Sequence, residues 1–409
     1  VVDPAYAIEQ YLDEAARHEV RLVGVLETHT HADHVSGHGR LALEHGLPVR
    51  VHVAAGAAFP HEPLDDGTEI ALGDVVLRTL HTPGHRPEHC AFAVIDRSRG
   101  DEPWLVLTGD SLFVGDAARP DLAVEALDGA EGLFHSLRAL VELGDGVEVY
   151  PGHVAGSLCG AAMSSKASTT IGFERRFNHA LTSGYEDFLA AAAGPQPPRP
   201  PNMESIVELN RGPFLGGTPP LGPLAAVPEG AVVLDVRPAR VFGKGHRPGA
   251  VNVPVSGSSF GTKAAFVLPR RPLVIDATDE AEAQQAARAL TAVGLLELAG
   301  WCPGGGAERL EPIGVAEAER LHAAGAIELL DVREDDESAR DAVAGSRHLP
   351  YRLALAAAES GLFDGRPVVT MCETGPRAAV AASVLQAAGI TARPILDGGV
   401  ATWRASDSS

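Results

Sequence analysis

The sequence predicts an α/β protein: a histidine-rich first part whose strands end on chemically active residues, then two small, related α/β units with parallel sheets. Three observations predict it. Ten of the seventeen histidines lie between His29 and His89, which sets the first part off from the rest. Beyond residue 223, short apolar runs alternate with helical patterns, the rhythm of a parallel sheet covered on both faces. That second half also repeats itself. "VVLDVRPARVFGKGHRPGAVNVP" (residues 232–254) aligns with "ELLDVREDDESARDAVAGSRHLP" (residues 328–350), and "RPLVIDATDEAEAQQAARALTAVGL" (residues 271–295) aligns with "RPVVTMCETGPRAAVAASVLQAAGI" (residues 366–390).

In chain order, the opening "VVDPAYAIEQYLDEAARHEVRLVG" reads as strand end, turn and amphipathic helix, so the chain is expected to begin inside a fold. Residues 1–193 are expected to form the first domain. Pro and Gly become dense near residue 191 and helical periodicity stops, so residues 194–223 are expected to be an extended linker stiffened by proline. The two repeat units follow, over residues 224–306 and 307–409, each near the size of one small domain. A formal net charge of -21 argues against nucleic acid and anionic membrane as partners, since both need clustered Lys and Arg. Four cysteines (Cys90, Cys159, Cys302, Cys372) in 409 residues are not a disulfide framework and fit a reducing, cytoplasmic compartment. No apolar run reaches the roughly 20 residues that span a bilayer.

The first part repeats one arrangement four times. "RLVGVLET" ends at His29, "VVLRTLHT" runs through Pro83 and Gly84 to His85, "PWLVLTGD" ends at Asp110, and "GVEVYPGH" ends at His153. Residues at strand C-termini gather at a sheet edge, so they converge despite large sequence separations. The first of these strands opens "ETHTHADHVSGHGRLA", which holds His29, His31, Asp33, His34 and His38. In His-x-His-x-Asp-His a tight loop lets alternate side chains face one pocket, while Asp33 and His34 face another position or brace the first ligands. Imidazoles and carboxylates suit borderline and hard divalent metals. The set His29, His31, Asp33, His34, His85, Asp110 and His153 therefore predicts a metal site. His18, His45, His52 and His61 read as ordinary surface or core residues, and Cys90, entering "CAFAVI", reads as core.

At this point the chain resembles the metallo-β-lactamase superfamily, which implies an αββα sandwich with the metal site at the sheet edges. "TPGHRPEHCAF", "TGDSLFVGDAARPDL" and "YPGHVAGSLCG" are similar to the persulfide dioxygenases, more closely to the branch fused to rhodanese domains. That resemblance implies one Fe(II) per chain on His29, His85 and Asp110, a facial triad with three open positions. His31, Asp33, His34 and His153 would stand behind it or at the place of a second metal. It implies oxidation by O2 of a small persulfide, such as glutathione persulfide, to sulfite and free thiol, and a homo-oligomer. The glyoxalase II branch shares the same seven positions but uses two zinc ions to hydrolyse a hydroxyacylglutathione thioester. The ligands alone leave that alternative open. Arg119 and Asp121 are assigned to pocket structure first and substrate contact second, with Ala118 where many relatives carry Gly. Cys159, six residues after His153, is either a packed loop thiol or a sulfur acceptor at the rim of the pocket.

"CETGPR" follows the apolar "PVVTM" and precedes a helix. A cysteine at such a turn lies over backbone N–H groups and the positive end of the helix dipole, which favour thiolate and persulfide anion. Gly375 permits the tight loop and Arg377 adds charge. The loop resembles the rhodanese active loop, C-x-x-G-x-R, and "LDGGVATW" looks like the rhodanese C-terminal signature. This implies sulfur transfer among persulfide, sulfite and thiosulfate at Cys372. Glu373, where many relatives carry Arg, is expected to oppose ionisation of the thiol. In the other repeat unit Ala277 takes the place of Cys372 and Glu282 that of Arg377, so that unit reads as an inactive rhodanese-like spacer. A sulfur carrier whose metal domain only binds sulfide is a third reading.

Overall fold

Apolar residues on one or both faces drive the strands of the first part. Val25–Leu26, Val49–His52 and Glu62–Leu64 form a parallel three-stranded sheet. Glu69–Leu72, Val75–His81, Cys90–Asp96, Leu105–Gly109, Glu148–Pro151 and Thr169–Thr170 form a six-stranded sheet in that order, antiparallel except where Leu105–Gly109 pairs with Glu148–Pro151. The two sheets face each other through Leu26 and Leu64 on one side and Leu77, Cys90 and Phe92 on the other. Cys90–Asp96 is buried on both faces, because its far side meets a helix layer. Helix Ala126–Val141 supplies that layer with Ala130, Leu133, Leu137 and Leu140, spaced three and four apart on one stripe. Helices Glu9–Arg17 and His38–His45 lie with the smaller sheet, where Leu41 packs with Val25, Val49 and Phe59. The result is an αββα sandwich. Phe92, wholly buried, illustrates its energetics: truncation to alanine is expected to cost about 3–5 kcal/mol.

The computed structural model describes residues 1–154, 163–192, 194, 196 and 198–407. These fall into two units, Val1–Gly217 and Thr218–Ser409. No helix among them is long and apolar enough to cross a membrane.

The second unit holds two four-stranded parallel sheets of identical strand order. One runs Val251–Asn252, Val232–Asp235, Leu273–Ala277, Leu298–Pro303; the other runs Arg347–His348, Glu328–Asp331, Val368–Met371, Ala392–Pro394. The Asp-Val-Arg of each repeat does the same work. Arg237 donates its backbone N–H and Nε to Asp235 and reaches Gly245 O; Arg333 does so with Asp331 and Asp341 O. One buried cluster runs through both repeats, from Val233, Phe260 and Ile275 to Leu330, Cys372 and Val380.

One expectation needs correction. Residues 194–223 do not run extended throughout, because Met203–Arg211 is a helix. Its buried residues Met203, Ile206 and Asn210 share one stripe, a period masked in the sequence by flanking proline. Asn210 makes this helix part of the first unit's site, as follows.

Candidate functional site

In the six-stranded sheet, Val75–His81, Leu105–Gly109 and Glu148–Pro151 point the same way, so the residues after them share an edge. The short strand Val25–Leu26 brings His29 to the same place from the other sheet. There His29 Nε2 lies 3.9 Å and His85 Nε2 3.6 Å from Asp110 Oδ2. These gaps are too long for hydrogen bonds and within the separation of two ligands across one ion with bonds of about 2 Å. All three side chains are buried, and Asp110 Oδ2 has no hydrogen-bond partner among the described residues. An orphaned buried carboxylate oxygen facing two imidazole nitrogens fits a divalent metal ion.

The other ring atoms explain why those nitrogens present lone pairs. His85 Nδ1 donates to Arg119 O at 2.9 Å. His29 Nδ1 lies 2.9 Å from Thr28 Oγ1, whose own proton goes to Asp3 Oδ2 at 2.8 Å. A carboxylate only accepts, so the hydroxyl must accept from His29, which fixes the proton on Nδ1. Burial, then neighbouring His31, pushes the pKa of His29 well below its ordinary value; burial also lowers that of His85. Both rings are thus neutral ligands near pH 7. Burial pushes the Asp110 carboxyl up, but His153 and His85 outweigh it and hold Asp110 below the usual carboxylate range.

Gly109 lets this edge close. Its φ is +48°, and a Cβ there would come 2.6 Å from Thr28 Oγ1 and 2.8 Å from His89 Nε2. His89 accepts from the Asp110 backbone N–H at 3.0 Å.

The remaining histidines divide. His153 places Nδ1 2.8 Å from Asp110 Oδ1 and Nε2 3.0 Å from Asp33 Oδ2. His34 Nδ1 lies 3.0 Å from Asp33 Oδ1. His31 stands beside His29, with ring centroids 4.2 Å apart, and both line one pocket. Its Nε2 lies 3.2 Å from Asp3 Oδ1 and 3.1 Å from Glu27 Oε2. Burial opposes its charge, but Asp3 and Glu27 prevail and raise its pKa well above the ordinary value. His31 also belongs to two further sets able to hold a metal ion, with Asp33 and His34 and with Asp3 and Glu27. Asn210 holds the same loop by accepting from Ser36 N at 2.9 Å and donating to His31 O at 3.0 Å and His34 O at 2.8 Å. His38 Nδ1 lies 3.0 Å from Glu27 Oε1. Asp3, Glu27, Thr28, His89 and Asn210 escaped the sequence reading; only His89, inside "HTPGHRPEH", carried a signal there.

Arg119 and Asp121 form a two-pronged pair at 2.7 and 2.9 Å. With Arg199 and Gln196 they line a cavity of about 670 Å³. Arg119 also accepts from His85 Nδ1 through its carbonyl. Cys159 lies outside the described residues. Cys90 is core, with its thiol pushed up by burial. Cys302 is buried in strand Leu298–Pro303.

In the second unit Cys372 follows strand Val368–Met371 and precedes helix Pro376–Ala387. Gly375 donates its N–H to Cys372 Sγ at 3.1 Å. Its φ of +104° and a Cβ position 2.7 Å from Leu396 O leave room for glycine alone. Two expectations change here. Arg377 does not lend an unshared charge, because Glu337 grips both its terminal nitrogens, Nη2 at 2.7 Å. Glu373 does not stand alone against the thiol, because its carboxylate lies 3.6 Å from Arg333 Nη1. In the other repeat, register places Asp276 opposite Asp235 and Met371 opposite Asp331, so Ala277 and Cys372 are equivalent. There Glu282 accepts from Thr278 N at 2.6 Å and Asp279 from Glu282 N at 2.9 Å. Carboxylates occupy the donors that would cradle an anion.

Comparison with known proteins agrees with both halves. Residues 1–153 match the model of the metallo-beta-lactamase superfamily, and residues 315–406 that of the rhodanese-like domain. An uncharacterized protein of Mycobacterium tuberculosis H37Rv is 32% identical over 207 residues, 44% of this chain and 84% of that protein. The human mitochondrial persulfide dioxygenase ETHE1 is 29% identical over 193 residues, 47% of this chain and 69% of that protein. A crystal structure of a metallo-beta-lactamase from Staphylococcus aureus COL superposes with a TM-score of 0.67 at 25% identity, over 74% of this chain and 90% of that one.

Proposed function

We propose, from the premise that this chain belongs to the metallo-β-lactamase superfamily and ends in a rhodanese-like domain, that it is an iron-dependent persulfide dioxygenase coupled to a sulfurtransferase. The observation that carries this reading is the three-residue set His29, His85 and Asp110, with an orphaned oxygen facing two neutral imidazoles, in one chain with a sulfur-handling cysteine loop. Its similarity to a persulfide dioxygenase supports the choice of reaction. A ferrous ion on this set would supply vacant coordination positions and redox chemistry toward O2, neither of which a closed zinc site offers.

The chain's own residues do the rest. Thr28 and Arg119 hold protons on the outer nitrogens of His29 and His85, and His153 holds Asp110 Oδ1 so that Oδ2 faces inward. In the overall reaction a persulfide, O2 and water give a thiol, sulfite and two protons; the sulfane sulfur loses the four electrons that O2 gains. At Cys372 the thiolate attacks the sulfane sulfur of thiosulfate, the S–S bond breaks, and sulfite leaves with the electron pair. A small thiolate such as that of glutathione then attacks the outer sulfur of the Cys372 persulfide, the S–S bond breaks, and Cys372 leaves as thiolate.

The alternative, a dizinc glyoxalase II-like thioesterase fused to a sulfurtransferase, rests on a second set, His31, Asp33 and His34, beside the first. His153 Nε2 lies 3.0 Å from Asp33 Oδ2 of that set. The deciding experiment is oxygen uptake by Fe(II)-loaded protein given glutathione persulfide, with metal analysis. Uptake with sulfite formation and one iron per chain is expected. Uptake no greater than in metal-free protein, or two zincs with hydrolysis of S-lactoylglutathione, would overturn the reading.

A further inference from the structure

Beside the set of His29, His85 and Asp110, three other side chains turn toward one point. Asp3 is tied by its backbone N–H to Leu26 O at 2.9 Å, Glu27 follows the strand Val25–Leu26, and His31 stands four residues on. His31 Nε2 lies 3.1 Å from Glu27 Oε2 and 3.2 Å from Asp3 Oδ1. One ligand atom of each residue lies within 4.8 Å of the other two. Glu27 and His31 are buried, and Asp3 is partly open to solvent.

These contacts have the length of hydrogen bonds but not their direction. Among the described residues neither Glu27 Oε2 nor His31 Nε2 has a hydrogen-bond partner, so both carboxylate oxygens lie off the axis of the ring nitrogen. Off-axis oxygens are what an ion seated on that axis requires: ligands about 2.1 Å from one ion stand roughly 3.0–3.5 Å apart. The neighbouring bonds aim the free atoms. Glu27 Oε1 accepts from Ser36 Oγ and lies 3.0 Å from His38 Nδ1, which leaves Oε2 for His31. Asp3 Oδ2 accepts from Thr28 Oγ1, and Oδ1 accepts from Thr28 N at 2.7 Å with a second lone pair to spare. Charge points the same way. Two carboxylates around one imidazole keep an uncompensated negative charge even when the ring is protonated, whereas a divalent ion beside a neutral ring cancels it.

We propose that Asp3 Oδ1, Glu27 Oε2 and His31 Nε2 hold a divalent transition-metal ion of their own, distinct from the ion of His29, His85 and Asp110. One imidazole with two carboxylates suits Zn(II) or Mn(II) better than Mg(II) or Ca(II), which take oxygen ligands. The ion replaces a ring proton, which leaves to solvent. It fastens Asp3 to the loop that carries His29, and water completes its coordination. The set of His31, Asp33 and His34 would use the ring's other nitrogen, Nδ1, which lies 4.0 Å from Asp33 Oδ1. This ion is held whatever reaction the neighbouring set performs.

The test uses zinc as the probe and the full chain. In crystals grown with zinc, an anomalous difference map at the zinc edge should show a peak among Asp3 Oδ1, Glu27 Oε2 and His31 Nε2. In solution, Asp110→Ala combined with His34→Ala removes a ligand from each of the other two sets. This double variant should still take up about one zinc per chain in competition with a chromophoric chelator. Adding Glu27→Gln, which keeps the side chain's shape, should weaken that binding about ten-fold or more, the scale on which even the loss of an outer partner is felt. Anomalous peaks at the other sets alone overturn the proposal, as does a double variant that binds no zinc or one whose affinity Glu27→Gln leaves unchanged. Should the variants fail to fold, the wild-type map decides. If the peak is present and iron-dependent oxygen uptake is absent, the function reading falls and this site stands.

Discussion

Replacing Thr28 by valine isolates one hydroxyl in the proposed metal centre. Threonine and valine have nearly the same shape, and Thr28 is buried, so the change opens no cavity. It removes the acceptor 2.9 Å from His29 Nδ1 and the donor 2.8 Å from Asp3 Oδ2. Two consequences follow. A buried imidazole N–H loses its partner, at a cost of about 1–3 kcal/mol. The ring is also free to move its proton to Nε2, the atom that must offer a lone pair. Loss of such an outer partner typically weakens metal binding about 10–100-fold, the same energy expressed as affinity. The assay is anaerobic competition for Fe(II), and separately Zn(II), against a chromophoric chelator, with circular dichroism to check the fold. Thr28→Val should bind about 10–100-fold more weakly, and Thr28→Ser should match the wild type. Wild-type affinity in Thr28→Val would refute the argument that this hydroxyl sets the tautomer of His29.

Three further outcomes are expected. Asn210→Ala strips partners from Ser36 N, His31 O and His34 O and should destabilise the first unit by about 2–4 kcal/mol, read as a lowered calorimetric midpoint. Burial, then His85, lowers the pKa of His89 to about 3, whereas the unfolded chain titrates near the ordinary value of about 6.5. Between these values the unfolded state binds the extra proton. The stability of metal-free protein should therefore be full above pH ~6.5 and fall as pH drops toward 3, by about 2 kcal/mol at pH 5; urea titrations should show a weaker dependence in His89→Gln. Cys372→Ser should abolish thiosulfate-dependent transfer and leave oxygen uptake intact, and Asp110→Asn should do the reverse; paired assays that fall together in either variant would contradict two separate chemistries.

What the sequence made legible was whatever depends on local pattern. His29, His85, Asp110 and His153 each close a strand, and a strand's direction is readable from its own residues. The cysteine loop was legible for the same reason, since Cys372, Gly375 and the helix that follows are contiguous. Pairings across long separations were not. Glu337 lies forty positions from Arg377, and nothing near "CETGPR" announces that its arginine is already taken. Likewise, the Asp3–Thr28–His29 relay needs the chain's first residues beside its first strand, a matter of tertiary closure. Helix Met203–Arg211 was hidden by composition: proline on both sides suggested a linker, although Met203, Ile206 and Asn210 carry a helical period.

That helix also bears on where the molecule can be divided. A fragment ending in the proline-rich stretch would look like a tidy single module yet would lack the side chain that seals its own histidine-bearing edge. Dissection or grafting of the histidine-bearing half should keep everything through Arg211, because this sandwich borrows its last fastening from beyond its apparent border.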